Sequence, residues 1–198
     1  MRFTREELES FRGREVDDLV GPGLKLLFVG INPGLWTAAV QTHFAHPTNR
    51  FYPALAAAGI TEYEVDRAAG MSDADRAHLV ARGVGMTNLV GRATARASEL
   101  SATELREGGE RLPRFVAEHR PKVVAIAGIS AYSDAFGDRA AVLGRQPETL
   151  DSASRWSGAA LWVVPNPSGL NAHETVATLA AAYAAPAVEA GVIATATG

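Results

Sequence analysis

The fold is decided by residues 26–34, which read Leu26-Leu27-Phe28-Val29-Gly30-Ile31-Asn32-Pro33-Gly34. The four successive apolar residues from Leu26 to Val29 predict a strand that is buried on both faces, as in a parallel sheet. Pro33-Gly34 then forces a sharp turn, so Asn32 lies just beyond the carboxyl end of that strand. Ligands of open α/β sheets bind beyond such strand ends, and a carboxamide offers both a donor and an acceptor. We therefore expect Asn32 to face a binding cleft.

Three more apolar runs predict the other core strands, at residues 84–90, 122–128 and 160–164. Helical segments separate these runs, and this alternation is typical of a mainly parallel sheet with helices on both faces. The length of 198 residues is sufficient for one well-formed core. We expect a single three-layer α/β/α domain over residues 1–198, with no internal repeat and no dividing linker.

The segments between the strands carry weaker signals. Capping boxes at Thr4-Arg5-Glu6-Glu7 and Ser101-Ala102-Thr103-Glu104 predict two helix starts, and Pro113 predicts a kink or break in the second helix. Residues 35–47 show no helical period and predict a long loop across the strand ends. Helices are predicted at residues 5–11, 49–58, 66–81 with a break near Gly70, 102–119, from 132 onward, and 173–185, whereas residues 137–158 are predicted to be loop or short antiparallel pieces.

Composition excludes several classes of protein. The chain has no cysteine, which rules out disulfides, iron–sulfur clusters and thiol nucleophiles. Its histidines lack zinc-like spacing, so we expect no metal. A formal charge of −3 argues against a general nucleic-acid coat protein but allows a local basic patch. No apolar run reaches membrane length, and the charged start is unlike a signal peptide, so we expect a cytoplasmic protein.

Familiar catalytic motifs are missing, and a second corner takes their place. The chain has no phosphate-binding glycine loop and no G-x-S-x-G elbow, which disfavours a nucleotide site and a serine hydrolase. The strand at 160–164 ends in Asn166-Pro167-Ser168-Gly169, the same pattern as at Asn32. The two corners should face each other across one cleft suited to hydrogen-bond positioning rather than to a strong base. Phe44 is either a stacking platform above that cleft or a buried loop anchor.

Three blocks of sequence, in register, resemble the mismatch-specific uracil-DNA glycosylases, the bacterial relatives of thymine-DNA glycosylase. These blocks are Gly30-Ile31-Asn32-Pro33-Gly34, Phe44-Ala45-His46-Pro47-Thr48-Asn49-Arg50-Phe51 and Asn166-Pro167-Ser168-Gly169-Leu170. Residues 83–90 and 108–112 fit the same pattern. The resemblance covers about residues 24–185, which makes the N-terminal helix and the C-terminal tail peripheral.

The resemblance implies a monofunctional enzyme, without metal or organic cofactor, that removes uracil from G·U mismatches in double-stranded DNA. Its catalytic residue would be Asn32, which would position the hydrolytic water, and Phe44 would stack on the flipped base. Main-chain groups around Gly30, Ile31 and Phe44 would read the base edge, with Asn166 lining the pocket. Leu170 would be the wedge that replaces the extruded nucleotide, and its neighbours Ser168, Gly169 and Asn171 would contact the mismatch. Such an enzyme is expected to act as a monomer.

Phosphate contacts are expected from Arg50, Arg92 and Arg96, the last two because their loop contains no acidic residue. The chain also departs from the resembled family. No acidic residue occurs between Val84 and Ser98, Trp36 and Thr37 are bulkier than expected near the pocket entry, and Asn171-Ala172-His173 replaces an arginine after the wedge. These changes bear on tolerance for thymine and on the reading of guanine.

Two other functions stay open at this stage. A damage-sensing DNA-binding domain without activity would keep Phe44 and Leu170 but would have no need of Asn32. An enzyme that cleaves free nucleosides would have no need of an exposed wedge at Leu170.

Overall fold

A five-stranded sheet forms the centre of the molecule, as seen in a computed structural model that describes residues 3–195. Its strands are β1 (Leu26–Gly30), β2 (Val84–Asn88), β3 (Val123–Ala127), β4 (Gly144–Arg145) and β5 (Ala160–Val164). Their spatial order is β2-β1-β3-β5-β4; β4 is antiparallel to β5, and the other neighbours are parallel. The carboxyl ends of four strands therefore lie at one edge, where Gly30 is opposite Asn88.

Eight α-helices pack around this sheet in the described part of the chain. They are α1 (Arg5–Glu9), α2 (Leu35–Val40), α3 (Phe51–Ala57), α4 (Asp73–Ala81), α5 (Ala102–His119), α6 (Ile129–Phe136), α7 (Leu150–Arg155) and α8 (Val176–Ala190), and a short 3₁₀ helix spans Ala97–Glu99. No helix within residues 3–195 has both the length and the apolar character needed to cross a membrane.

The side chains of the strands alternate between two buried layers, as a β-strand requires. Leu26 and Phe28 of β1 belong to a cluster that includes residues of α3, α4 and α8. Leu27 and Val29 belong to the opposite cluster, which includes residues of α5 and α6. All five residues of β1 are buried. The expected three-layer α/β/α arrangement with a mainly parallel sheet is thus confirmed.

Several predicted boundaries were wrong. Residues 35–40 form α2 rather than loop, beginning after Gly34. The expected helix at 66–81 is present only as Asp73–Ala81, where Ser72 supplies a capping box. The last helix begins at Val176 and continues to Ala190, later at both ends than predicted. The remainder of the predicted C-terminal tail includes residues 196–198, which lie outside the described part of the chain.

Helix α5 is continuous through Pro113, so of the expected kink or break the break is absent. A proline cannot donate the usual hydrogen bond to the carbonyl four residues earlier, which here belongs to Gly109. The guanidinium of Arg155 donates to that carbonyl instead, at 3.3 Å. Gly109 also permits close packing, since a Cβ there would lie 2.3 Å from the carbonyl oxygen of Ala135. A side chain on α7 thus satisfies the carbonyl that Pro113 leaves without a helical partner.

Candidate functional site

A cleft of about 740 Å³ opens at the carboxyl edge of the sheet. Both strand-end corners line it, because Asn32 follows β1 and Asn166 follows β5. The loop that carries Phe44 and the exposed Leu170 also contribute to its walls. The topology therefore brings residues that are far apart in sequence to one concave surface.

The carboxamide of Asn32 has a fixed orientation. Its nitrogen Nδ2 donates to the carbonyl oxygens of Pro33 at 3.1 Å and Arg92 at 3.0 Å, and to Thr94 Oγ1 at 2.7 Å. Backbone carbonyls can only accept, so the nitrogen and not the oxygen must face them. The Thr94 hydroxyl donates its own proton to the carbonyl of Arg96 at 2.9 Å, which leaves its lone pairs for Asn32.

The carboxamide oxygen of Asn32 is left for a ligand. Within residues 3–195, Oδ1 accepts no hydrogen bond, and Asn32 lines the cleft. Because the nitrogen is held on the opposite side, this oxygen is presented as a fixed acceptor. A water molecule or an N–H group in the cleft could donate to it.

Phe44 is both an anchor and a wall of the cleft. Its ring stacks on Phe51 with centroids 4.1 Å apart and planes inclined by 23°. Phe51 is fully buried, whereas Phe44 is only partly buried and lines the cleft. Phe44 has a φ of +55°, a strained value for a bulky residue. The hydroxyl of Tyr52 helps to hold this conformation by donating to the carbonyl of His43 at 2.8 Å.

A second carboxamide, that of Asn88, faces the cleft floor from the end of β2. A Cβ added to Gly30 would lie 2.4 Å from Asn88 Oδ1 and 3.2 Å from the ring of Phe44. Gly30 is therefore required by close approach, since any side chain there would displace one of these neighbours. Asn88 is only 6% exposed, and its Nδ2 lies 3.2 Å from His43 Nδ1.

The corner after β5 is held against the Phe44 loop. Arg50 donates through Nη1 to the carbonyls of Ser168 at 3.2 Å and Asn171 at 3.1 Å, and its backbone N–H donates to Pro167. Gly169 packs so closely that a Cβ there would lie 2.2 Å from Thr48 Oγ1 and 2.8 Å from the carbonyl oxygen of Thr48. This corner is consequently a rigid support.

Leu170 projects from that support into solvent, with 88% of its surface exposed. The rest of the corner is tied internally: Asn166 Oδ1 accepts from the backbone N–H of Ser168 at 3.0 Å, and Asn171 Nδ2 donates to the carbonyl of Asn166 at 3.1 Å. An exposed leucine on a firmly held loop at the mouth of a cleft is suited to insertion into another molecule.

The arginines near the cleft differ in what they contact. Arg92 pairs with Glu104, and this contact, together with hydrogen bonds from Ser101, lowers the pKa of that carboxyl to about 2. The loop of Arg92 itself contains no acidic residue, as expected, but Glu104 reaches Arg92 from α5. The side chain of Arg96 has no ion-pair partner among residues 3–195, and Arg96 lines the cleft.

The sequence model of the uracil DNA glycosylase superfamily matches residues 18–186 of this chain. The chain belongs to that superfamily. A similar solved structure is the solution NMR structure of a candidate uracil DNA glycosylase from Methanosarcina acetivorans. The two chains share 14% identity with a TM-score of 0.60, and the match covers 91% of this chain and 98% of the other. At that identity the likeness supports the uracil DNA glycosylase fold alone.

The uracil DNA glycosylase fold brings most of the predicted site residues together. Residues predicted for catalysis, base binding or wedging that line the cleft are Gly30, Ile31, Asn32, Phe44, Asn166, Ser168, Gly169, Leu170 and Asn171. Their individual roles stay predictions. The three arginines also stay predictions as phosphate contacts, although Arg50 already holds the corner and Arg92 is already paired. Trp36 is not among the cleft-lining residues of the described chain and instead donates to the carbonyl of Ala68 at 3.1 Å.

Sequence reasoning missed Asn88, Thr94 and His43 as residues of this glycosylase-like site. Asn88 had a usable signal, since it is a carboxamide that ends an apolar run, just as Asn32 follows β1. The other two had none, because their contacts depend on how separate loops meet. Within residues 3–195, no group of three or more histidine or acidic side chains is arranged to hold a metal ion.

Proposed function

We propose that this protein is a monofunctional DNA glycosylase that flips uracil out of G·U mismatches in double-stranded DNA and hydrolyses its N-glycosidic bond, acting as a monomer and without a cofactor. The observation that carries the proposal is the locked carboxamide of Asn32, whose free oxygen lines the same cleft as Phe44 and Leu170. Membership of the uracil DNA glycosylase superfamily supports both the hydrolytic reaction and DNA as the partner.

In this proposal, Asn32 acts by positioning. Its Oδ1 would accept a hydrogen bond from a water molecule and aim that water at the sugar carbon of the flipped nucleotide. A neutral amide is a poor proton acceptor, so it orients the water while activating it only weakly. The departing uracil takes the bonding electrons as an anion, and nearby N–H donors would stabilise this charge. We therefore expect slow turnover.

The ring of Phe44 gives the cleft one flat wall, which suits a planar base. The face of Phe44 that Phe51 does not cover would stack on the flipped uracil. Asn88 Oδ1 lies beside Gly30 and would accept from a base N–H that approaches the backbone there. Gly30 would allow the base to approach the backbone at this point, because it has no Cβ.

Extrusion of a nucleotide from a duplex costs a few kcal/mol, and a mismatch reduces that cost. An apolar side chain that enters the vacated space compensates for lost stacking. The exposed Leu170 is suited to this role, because Arg50 and the close contact at Gly169 hold its loop in place.

The test is a panel of labelled substrates that carry U opposite G, U opposite A, T opposite G, and U in a single strand. Alkaline cleavage after incubation reveals abasic sites. The proposal predicts excision of uracil, fastest from the G·U duplex. Absence of cleavage in every substrate, with DNA binding retained, would instead favour a damage-sensing domain without activity. Equal rates on all uracil substrates would contradict the mismatch preference.

A further inference from the structure

His43 is the one buried histidine close to the cleft among the described residues, and none of the roles above uses it. It is 2% exposed and lies directly before Phe44. Its Nε2 is 3.1 Å from the carbonyl oxygen of Asp17, and its Nδ1 is 3.2 Å from Asn88 Nδ2. It therefore links a backbone carbonyl outside the cleft to a carboxamide on the cleft floor.

The direction of these hydrogen bonds follows from the carbonyl. A carbonyl can only accept, so His43 Nε2 must carry a hydrogen. In a neutral ring, Nδ1 is then an acceptor, and Asn88 Nδ2 must be the donor to it. Burial lowers the pKa of His43, which favours this neutral ring. The hydrogen bond to the Asp17 carbonyl and the carboxylate of Asp18 oppose that shift, whereas the guanidinium of Arg76 adds to it. The Asn88 carboxamide is thereby fixed with Oδ1 toward Gly30.

This fixed orientation matters because pyrimidines differ at the edge that a carboxamide reads. Uracil presents N3–H beside the O4 acceptor, whereas cytosine presents an N3 lone pair beside an amino donor. A carboxamide presents an oxygen beside an N–H, so each of its two flips matches one base and opposes the other. If Asn88 Oδ1 faces ring position 3, it accepts a hydrogen bond from uracil N3–H but is repelled by the N3 lone pair of cytosine. The orientation of Asn88 in this structure therefore favours uracil.

We infer that His43 is a positioning residue that sets the flip of Asn88 and so makes the cleft selective for uracil over cytosine. This inference rests on the proposed function, because it assumes that Asn88 meets the flipped base. His43 does not contact the base itself in this account. It acts as a hydrogen-bond relay whose fixed end is the Asp17 carbonyl.

Two substitutions separate the two nitrogens of His43. Asparagine places its side-chain oxygen the same number of bonds from Cβ as Nδ1, so His43→Asn keeps an acceptor for Asn88. Glutamine places its nitrogen the same number of bonds from Cβ as Nε2, so His43→Gln keeps the donor to Asp17 but has no acceptor at the position of Nδ1. Thermal unfolding of each variant checks that both remain folded.

Single-turnover excision of U and of C, each opposite G in one duplex sequence, is the assay. We expect His43→Gln to lower the uracil rate about tenfold, the equivalent of one lost hydrogen bond, and to narrow the preference over cytosine. His43→Asn should recover most of the rate. In an Asn88→Ala background, His43→Gln should change the rate less than about twofold, because the residue through which His43 acts is gone. Equal rates for the two His43 variants, or a full tenfold drop in the Asn88→Ala background, would overturn the inference.

A second measurement separates this inference from the proposed function. In protein labelled with ¹⁵N-histidine, the His43 signal, assigned by its loss in His43→Asn, should report a neutral ring with its proton on Nε2. A proton on Nδ1 at pH 7 would overturn the relay even in an active enzyme. Lack of uracil excision by the wild-type protein would refute the proposed function, and with it the selectivity for uracil over cytosine.

Discussion

Replacing Asn32 by aspartate should lower both the stability and the excision rate of this protein, although a carboxylate is a stronger base than an amide. The change substitutes an oxygen for the Nδ2 group that donates at 3.1 and 3.0 Å to two carbonyls and at 2.7 Å to Thr94. The NH₂ group has two hydrogens for these three acceptors, so the change removes the equivalent of two hydrogen bonds of about 1 kcal/mol each. Asn32→Asp should therefore reduce the free energy of unfolding by about 2 kcal/mol at pH 7. The two carbonyl dipoles would also repel a carboxylate at this position.

The same geometry predicts the pH dependence of the variant. Repulsion by the carbonyls raises the pKa of the introduced carboxyl in the folded state above its unfolded value. The folded state then binds the proton more tightly, so the lost stability should be partly regained as the pH falls through the raised pKa. The protonated acid can donate one hydrogen bond to the carbonyls, whereas the ionised form donates none.

Urea unfolding at pH 7 and pH 5, together with single-turnover excision at both values, tests this reasoning. The expected excision rate of Asn32→Asp at pH 7 is at least about tenfold below wild type, because the locked geometry is lost. Asn32→Ala is the matched control, since it removes the donor without adding charge. An aspartate variant that is as stable as wild type and excises uracil faster at pH 7 would refute the account of the locked amide.

Three further perturbations test other parts of the site. Leu170→Ala should leave thermal stability nearly unchanged, because the side chain is 88% exposed. It should slow excision from duplex DNA about tenfold, through loss of roughly 1.5 kcal/mol of apolar burial against the DNA. An equal loss of rate on single-stranded substrate would argue against a wedge. Gly169→Ala should lower duplex excision by about tenfold, since its Cβ would lie 2.8 Å from the carbonyl oxygen of Thr48; a fully active variant would show that the corner need not be rigid. Burial lowers the pKa of His43 in the folded state, so the unfolded chain takes up the proton first as the pH falls below about 6.5. The free energy of unfolding should therefore drop by up to about 1 kcal/mol between pH 7 and 5.5. This part of the pH dependence should vanish in His43→Asn, as measured by urea unfolding. The same pH dependence of stability in wild type and in His43→Asn would contradict a buried neutral ring.

The strands were predictable because burial on both faces requires a run of consecutive apolar residues, which is visible in the sequence. β1, β3 and β5 are short apolar runs followed by glycine or proline, and their carboxyl ends were expected to share one edge. That expectation was sufficient to place the corners at Asn32 and Asn166 beside one cleft. The prediction needed only the parallel topology that alternating strands and helices favour.

The misplaced elements depend on contacts that a local pattern does not contain. Helix α2 has only six residues and no side-chain cap, and its Leu35 and Ala38 are buried in a small cluster with Val16 and Ala93 from other segments. The unbroken α5 relies on Arg155, which is 42 positions after Pro113 in the chain and satisfies the freed carbonyl. Tertiary contacts of this kind override local preference.

The orientations of the site's side chains could not be predicted from the sequence either. The orientation of Asn32 depends on Thr94 and on the carbonyl of Arg92, both about 60 residues away. The relay from Asp17 through His43 to Asn88 joins three separate segments. No spacing rule connects these residues, because the loops that carry them meet only after the sheet has formed.

The most direct test of the central claim is the single-turnover rate at which wild-type protein and Asn32→Ala release uracil from one G·U duplex under saturating enzyme. Release by the wild type should be measurable, and Asn32→Ala should be slower by about 10²–10³-fold with DNA binding retained. Equal rates in the two proteins would contradict the central claim.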